Sequence, residues 1–180
     1  MNNKRLEKIV GELEIKKFLI VDDMPENLGA AQNCLKDLKG VEIDYAKNAE
    51  EAIGKIKEAY PNNSYDFIIS DLEMETERSG IDVVKEGYKH QSQVFVATSY
   101  DSESHGSSTH IHPFLESTQG KKNETEVWDT ILTNVIDYLH SEKGKAIYDS
   151  FKQSKKYVGK PMDNIGETLG KMLEQMIFNI

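Results

Sequence analysis

One short stretch of this 180-residue chain reads Phe18-Leu19-Ile20-Val21-Asp22-Asp23. Four consecutive apolar residues of this kind are typical of a strand that is buried on both faces of a parallel sheet. Two acids end the strand, and Pro25 then stands where the first turn of a helix tolerates proline. The stretch therefore predicts a strand, a polar turn and a helix, which is the repeating unit of an α/β fold.

The same alternation of strand and helix continues along the chain. Further strands are predicted at 41–45, 65–70, 94–97 and somewhere within 111–117. Apolar residues at helical spacing follow Pro25, Asn48 and Ser79, and a last amphipathic helix covers 127–139. Strands alternating with helices imply crossover connections and a parallel sheet covered on both faces. We therefore predict a doubly wound, flavodoxin-like sheet of five parallel strands in the order 2-1-3-4-5.

Three segments are predicted along the chain: an N-terminal helix at residues 1–15, the α/β unit at 16–140 and a helical tail at 141–180. In the tail, a helix is expected after Gly144, and an apolar stripe runs from Ile165 to Ile180. Some 40 residues cannot form a core by themselves. The tail is therefore expected to pack on the α/β unit, to pack on a second copy as a homodimer, or to contact a partner.

Composition and charge exclude several classes of protein. The formal net charge is −9, which disfavours nucleic-acid binding because that binding depends on Lys and Arg. No apolar run approaches the roughly 20 residues needed to cross a bilayer, and residues 1–7 lack the apolar core of a secretory signal. The lone Cys34 fits a reducing compartment. We expect a cytoplasmic protein that binds neither nucleic acid nor membrane.

Polar residues end three of the predicted strands. Asp22 and Asp23 follow the first strand, Asp71 follows the third, and Thr98 ends the fourth. In doubly wound sheets, ligands bind at the carboxyl ends of the strands, beside strand 1. These four residues are therefore predicted to form one site.

The chemistry of this site follows from its acids. Three carboxylates placed close together repel one another unless a cation neutralises them. Mg²⁺ prefers oxygen ligands and usually binds through one or two carboxylates plus a phosphate. A carboxylate can also act as a nucleophile and form an aspartyl phosphate. The sequence thus predicts a magnesium site that handles a phosphoryl group.

The segments at the ends of three strands resemble the receiver domains of two-component response regulators. They are residues 18–23, then Ile68-Ile69-Ser70-Asp71-Leu72-Glu73-Met74, then Val96-Ala97-Thr98-Ser99. The resemblance covers about residues 16–140. It implies the following site residues: Asp71 as phosphoacceptor, Asp23 as a direct magnesium ligand, Asp22 as a ligand through water, the backbone carbonyl of Glu73 as a further ligand, Thr98 as the switch hydroxyl and Gly80 as the glycine before the third helix.

The chain departs from the receiver pattern after the fourth strand. Receivers usually end strand 5 with Lys followed by Pro, and no Lys-Pro stands there. Lys121 is the first candidate for the lysine that contacts the phosphoryl group, followed by Lys122. His112 is the third, because His112-Pro113-Phe114 is similar to the family's Lys-Pro-Phe. The polar segment 100–110 predicts a short or irregular fourth helix.

The resemblance implies a signalling protein rather than an ordinary enzyme. A histidine kinase or a phosphotransfer protein would donate the phosphoryl group to Asp71, and the result would be read by an unknown downstream protein. The resemblance also places Glu73 and Tyr100 where side chains in the family influence the hydrolytic water, so we expect slow self-dephosphorylation. The alternative is a degenerate receiver-like scaffold that binds proteins and is never phosphorylated. A haloacid-dehalogenase-like phosphatase is disfavoured, because Met24 stands where a second acid is needed.

Overall fold

The computed structural model describes residues 3–76, 79–98, 115–117, 122–158, 164–168, 171 and 175. Strands and helices alternate as predicted from Lys17 to Thr98, whereas the predicted fourth helix, at 100–110, lies outside the described residues. The strands are β1 (Lys17–Val21), β2 (Glu42–Ala46), β3 (Phe67–Ser70), β4 (Gln93–Thr98) and β5 (Leu115–Ser117). The helices are α1 (Asn3–Glu12), α2 (Pro25–Leu35), α3 (Ala49–Ala59), α4 (Ser79–Lys89), α5 (Thr125–His140) and α6 (Glu142–Val158).

The sheet is parallel, and β1 lies inside it. Strand β1 pairs with β2 on one side and with β3 on the other, and β3 pairs with β4. The predicted α/β class and the strand order 2-1-3-4 are therefore confirmed. Residues 115–117 pair with β4 in parallel, while the remainder of the predicted fifth strand, 111–114, lies outside the described residues.

Helices cover both faces of the sheet, so every residue of β1 and β3 is buried. Alternate residues of a strand point to opposite faces. Phe18 and Ile20 accordingly pack in the layer formed with α1, α2 and α5, whereas Leu19 and Val21 pack in the layer formed with α3 and α4. This burial on both sides is the physical reason for the unbroken apolar runs in the sequence.

Helix α1 belongs to the first of these two layers. Its apolar side chains are buried in the same core cluster as Trp128 and other residues of α5. The helical spacing of Leu6, Ile9, Val10 and Leu13 is therefore explained by one packed face.

Among the described residues, no helix combines the length and the apolar character that a membrane crossing requires.

Helix α6 packs on the α/β unit. It begins at Glu142, so the prediction of a helix start after Gly144 was wrong by a few residues. The reason is a side-chain cap that the prediction overlooked: Ser141 Oγ accepts a hydrogen bond of 3.1 Å from the backbone nitrogen of Gly144. Tyr148 is buried in the first core layer, and Phe151 packs against the second.

Three side chains of α6 bind the segments that lead into the strands. Lys152 Nζ lies 3.1 Å from the carbonyl oxygen of Leu13, just before β1. Lys155 Nζ donates a hydrogen bond of 2.7 Å to the carbonyl oxygen of Tyr65, before β3. Ser154 Oγ donates to Gln91 Oε1, before β4, at 3.2 Å. Helix α6 thus covers the amino ends of the strands, which lie opposite the predicted site at their carboxyl ends.

A further part of the tail contacts α4. Residues 164–168 are helical, and Gly166 is buried against the backbone of Lys85 and the side chain of Lys89. Most of the apolar stripe from 169 to 180 lies outside the described residues. Dimerisation through the tail and the division of the chain at residues 15 and 140 therefore stay predictions.

Candidate functional site

The predicted acids meet at the carboxyl end of the sheet. Asp22 follows β1 and Asp71 follows β3, and these two strands are neighbours. The backbone nitrogen of Asp71 donates a hydrogen bond of 2.8 Å to the carbonyl oxygen of Val21, which extends the ladder by one residue. Carboxylate oxygens of Asp22, Asp23 and Asp71 lie within 4.8 Å of one another. The structure therefore brings together the three acids that the sequence predicted.

Asp22 has one oxygen in the turn and one in the site. Its Oδ1 accepts hydrogen bonds from Asn27 Nδ2 at 2.8 Å and from the backbone nitrogen of Met24 at 3.1 Å. Its Oδ2 accepts no hydrogen bond of good geometry from the described residues and instead forms an ion pair with Lys122 Nζ at 2.7 Å. Because the residue is only 1% exposed, this second oxygen depends on a cation.

Asp71 is held in a similar way. Its Oδ1 accepts a hydrogen bond of 2.7 Å from the backbone nitrogen of Leu72, and its Oδ2 lies 2.5 Å from Lys122 Nζ. Burial raises the pKa of Asp71. The charge of Lys122 lowers this pKa, and the charge of Asp22 raises it further, with a net shift upwards. Burial, followed by repulsion from Asp22, also raises the pKa of Asp23. The site therefore disfavours negative charge on these two carboxyl groups.

Lys122 is the lysine that the structure places in the site. It is 4% exposed, and its ammonium group contacts both carboxylates and donates to the carbonyl oxygen of Ala97 at 3.3 Å. Sequence reasoning ranked Lys121 above Lys122 and placed His112 third. Lys121 and His112 lie outside the described residues, so Lys122 alone of the three candidates is described.

Two further predicted residues lie on the segments that end β4 and follow β3. Thr98 is the last residue of β4, and the pairing of Ser70 with Val96 sets it at the same edge of the sheet as Asp71. Glu73 is exposed in the loop after Asp71. The role of the Glu73 carbonyl oxygen as a magnesium ligand stays a prediction.

Gly80 explains how α4 begins so close to Asp71. A side chain at this position would collide with the carbonyl oxygens of Asp71 and Leu72. The backbone nitrogen of Gly80 instead donates a hydrogen bond of 3.1 Å to the Leu72 carbonyl oxygen. The absence of a side chain therefore lets the helix start directly against the backbone of the predicted acceptor.

Glu75 is a residue that sequence reasoning missed. Its Oε1 accepts a hydrogen bond of 2.9 Å from the backbone nitrogen of Ala49, at the first turn of α3. Asn48 caps the same helix as predicted, with its side chain accepting from the backbone nitrogen of Glu51 at 2.7 Å. The only signal for Glu75 in the sequence is an acid in a loop, which does not identify the distant helix start that it binds.

The arrangement fits a divalent cation with oxygen ligands. Among the described residues, two buried carboxylates and one half-buried carboxylate surround the ammonium group of Lys122, so negative charge exceeds positive charge among these four side chains. The donors are carboxylate oxygens, the ligand type that Mg²⁺ prefers. The buried Oδ2 of Asp22 accepts no hydrogen bond of good geometry from the described residues, and its ion pair with Lys122 marks a place that a cation stabilises.

Comparison with known proteins places the chain in a family. A family model described as the response regulator receiver domain matches residues 18–109. One similar solved structure is the bacteriophytochrome response regulator AtBRR, at 17% identity over 67% of this chain and 91% of that chain, with a TM-score of 0.46. Another is the isolated receiver domain of RcsB from Salmonella enterica serovar Typhimurium, at 17% identity over 74% and 98%, with a TM-score of 0.45. No curated protein matches the sequence. Because the family model spans just over half of the residues, the chain belongs to the response regulator receiver domain family.

Proposed function

We propose that this protein is a phosphorylated signalling switch in which Asp71 accepts the phosphoryl group. The observation that carries the proposal is the grouping of Asp22, Asp23 and Asp71 within 4.8 Å, with Lys122 bound to two of them. The proposal includes the complete five-stranded flavodoxin-like sheet, order 2-1-3-4-5, with residues 115–117 as its fifth strand. The receiver unit would be residues 16–140, preceded by an N-terminal helix and followed by the tail.

Mg²⁺ is the proposed cofactor. Asp22, Asp23, Asp71 and the backbone carbonyl of Glu73 would hold it, with Asp22 acting through water. When bound, the ion supplies positive charge that offsets the charge on the transferring phosphoryl oxygens. This assignment is supported by the excess of carboxylate over ammonium groups among the described side chains of the site. It is also supported by the buried Oδ2 of Asp22, which accepts no hydrogen bond of good geometry from the described residues.

The proposed transfer begins with a carboxylate oxygen of Asp71 as nucleophile. This oxygen forms a bond to phosphorus while the bond between phosphorus and the donor nitrogen breaks, and the electron pair stays on the donor imidazole. The product is an aspartyl phosphate. Lys122 would release the Asp71 carboxylate and bind a phosphoryl oxygen, and the Thr98 hydroxyl would donate to another.

The proposed donor is a histidine kinase or a phosphotransfer protein. Phosphorylation would bias a two-state equilibrium, and a downstream protein would read the favoured state by direct contact. The net charge of −9 argues against a nucleic-acid target. We place the protein in the cytoplasm, where such donors act, and expect no membrane contact.

The experiment is incubation with Mg²⁺ and acetyl phosphate, followed by intact mass spectrometry. One phosphate adduct is expected on the unmodified protein and none on Asp71→Asn. Asp82→Asn is the matched control, because Asp82 is an exposed acid at the start of α4. Its adduct should equal that of the unmodified protein.

Two outcomes would overturn the proposal. An adduct that persists in Asp71→Asn would move the acceptor to another residue. No adduct with acetyl phosphate or with phosphorylated donor proteins would favour the receiver-like binding scaffold. In that case the acids would serve only to bind Lys122 and the turn after β1.

A further inference from the structure

A single buried indole links the site to the core. Trp128 lies in the first turn of α5, is 1% exposed, and packs in the core layer formed with α1 and α2. Its Nε1 donates a hydrogen bond of 2.7 Å to the backbone carbonyl oxygen of Lys122. A buried indole N–H needs an acceptor. The partner that it finds is the residue whose ammonium group contacts Asp22 and Asp71.

The lysine side chain does not fix its own position. It has four rotatable bonds and a compact charge, so the location of its ammonium group depends on where its backbone lies. Lys122 precedes α5 and is not part of a strand or helix. The position of the Lys122 backbone therefore decides whether the ammonium group can reach the carboxylates of Asp22 and Asp71 and the Ala97 carbonyl oxygen.

The indole is well suited to hold that backbone. Its ring has only two rotatable side-chain bonds and is enclosed by core residues, so the position of its N–H is fixed by packing. Because this N–H is fixed, the 2.7 Å hydrogen bond that it donates restrains the position of the Lys122 carbonyl oxygen. Placement of the ammonium group thus follows from the core packing of α5.

We propose that Trp128 is a positioning residue that holds Lys122 in the geometry needed for phosphoryl transfer. The inference rests on the proposed function for its catalytic consequence. Its structural part, the dependence of the ammonium position on the indole N–H, stands independently. Trp128 is not expected to contact substrate or metal and acts only through Lys122.

The test variant is Trp128→Phe, which retains an aromatic ring and removes the N–H donor. Ile131→Val is the matched control, because Ile131 is buried in the same core layer, one turn further along α5. Phosphorylation by acetyl phosphate at saturating Mg²⁺ should slow about tenfold or more in Trp128→Phe, since small misplacements of a reacting group are costly. The rate should be unchanged in Ile131→Val.

The second measurement does not depend on phosphorylation. The buried ammonium group of Lys122 should give a slowly exchanging lysine signal in ¹H–¹⁵N NMR spectra, assigned by its loss in Lys122→Met. This signal should broaden or disappear in Trp128→Phe and persist in Ile131→Val. If Trp128→Phe does not fold, the same two measurements on a protein carrying benzothienylalanine at 128 replace it, because sulfur there removes only the N–H.

The outcomes separate the two proposals. An unchanged Lys122 signal together with an unchanged rate would overturn the role of Trp128 and leave the proposed function intact. A signal lost in Trp128→Phe would support the positioning role even if no variant accepted phosphate. The absence of an adduct on the unmodified protein would contradict the proposed function alone.

Discussion

The ammonium nitrogen of Lys122 lies 2.5 Å from Asp71 Oδ2, and both side chains are buried. A second carboxylate, Asp22, contacts the same nitrogen at 2.7 Å. A buried ion pair of this kind contributes little compared with an apolar pair of equal volume, but loss of one partner is expensive. The lysine therefore acts as the resident counter-ion of the site.

Replacement of this counter-ion should weaken the fold when no other cation is present. Lys122→Met leaves Asp22 and Asp71 buried without their ammonium partner, and the free energy of unfolding should fall by about 3 kcal/mol. Urea unfolding without divalent ions measures the loss, and addition of Mg²⁺ should recover part of it. The exposed Lys8→Met is the control, with a change below about 0.5 kcal/mol. Equal stabilities of the two variants would contradict the prediction.

A methyl group at Gly80 should disturb the backbone of the acceptor. Gly80→Ala places a side chain against the carbonyl oxygens of Asp71 and Leu72, which belong to rigid backbone. We expect a loss of about 1–3 kcal/mol in the free energy of unfolding, the usual cost of overpacking. Gly54→Ala in α3 is the matched control, since nothing lies near its added methyl group. That variant should gain about 0.4–1 kcal/mol. A stabilising Gly80→Ala would show that the helix start can move away.

Lys155 should make stability depend on alkaline pH. Burial lowers the pKa of Lys155 to about 8, although Asp66 acts in the opposite direction. The unfolded chain has a lysine pKa of about 10.4, so it binds the proton more tightly than the folded protein does. Stability from this group is complete above the unfolded pKa and is lost as pH falls through about 8. Between these values the unmodified protein should gain stability with rising pH relative to Lys155→Met.

Lys155→Met does not leave the Tyr65 carbonyl oxygen without a hydrogen bond, because Ser92 Oγ also donates to it at 2.7 Å. The difference between the two proteins therefore reports mainly on the charge of Lys155. Thermal unfolding of both proteins from about pH 7 to about pH 10.5 measures the difference. Lys145→Met, at an exposed position of the same helix, shows the effect of removing a surface charge. Parallel pH curves for the protein and Lys155→Met would contradict the prediction.

Loss of the phosphoryl group should be slow and should respond to two side chains. Glu73 is exposed two residues after Asp71, and Tyr100, two residues after Thr98, lies outside the described residues. Replacement of both by Ala should admit the hydrolytic water and speed dephosphorylation on the order of tenfold, about 1.4 kcal/mol of barrier. Decay of the intact-mass adduct measures the rate. An unchanged half-life would remove the idea that these residues hinder water.

The strands and the acids were predictable because their sequence signals are local. Residues 18–21 and 67–69 are buried on both faces of the sheet, so their composition alone indicates buried strands. Asp22 and Asp71 stand where those runs end, and the parallel topology makes them neighbours. The first four strands and the grouping of Asp22, Asp23 and Asp71 could therefore be predicted from short apolar segments and the parallel order of the strands.

The lysine was harder to predict because Lys121 and Lys122 are adjacent and chemically identical. The path of the backbone before α5 places Lys122 against the acids, and no periodic pattern in the sequence extends to that segment. The hydrogen bond from Trp128 to the Lys122 carbonyl oxygen spans six positions outside any regular pattern, so its only signal in the sequence is one tryptophan. The start of α6 was missed for a similar reason, since Gly144 looked like a boundary while Ser141 supplied the cap.

The contacts of α6 also bear on when the protein can finish folding during its synthesis. Lys152 and Lys155 of this helix bind the carbonyl oxygens of Leu13 and Tyr65, which precede them by 139 and 90 positions in the chain. Helices and strands made early can pair while the ribosome is still translating. The amino ends of β1 and β3, however, receive these partners only after Lys155 has emerged. A nascent chain that stalls before this residue would carry a sheet with one edge still open to chaperones and proteases.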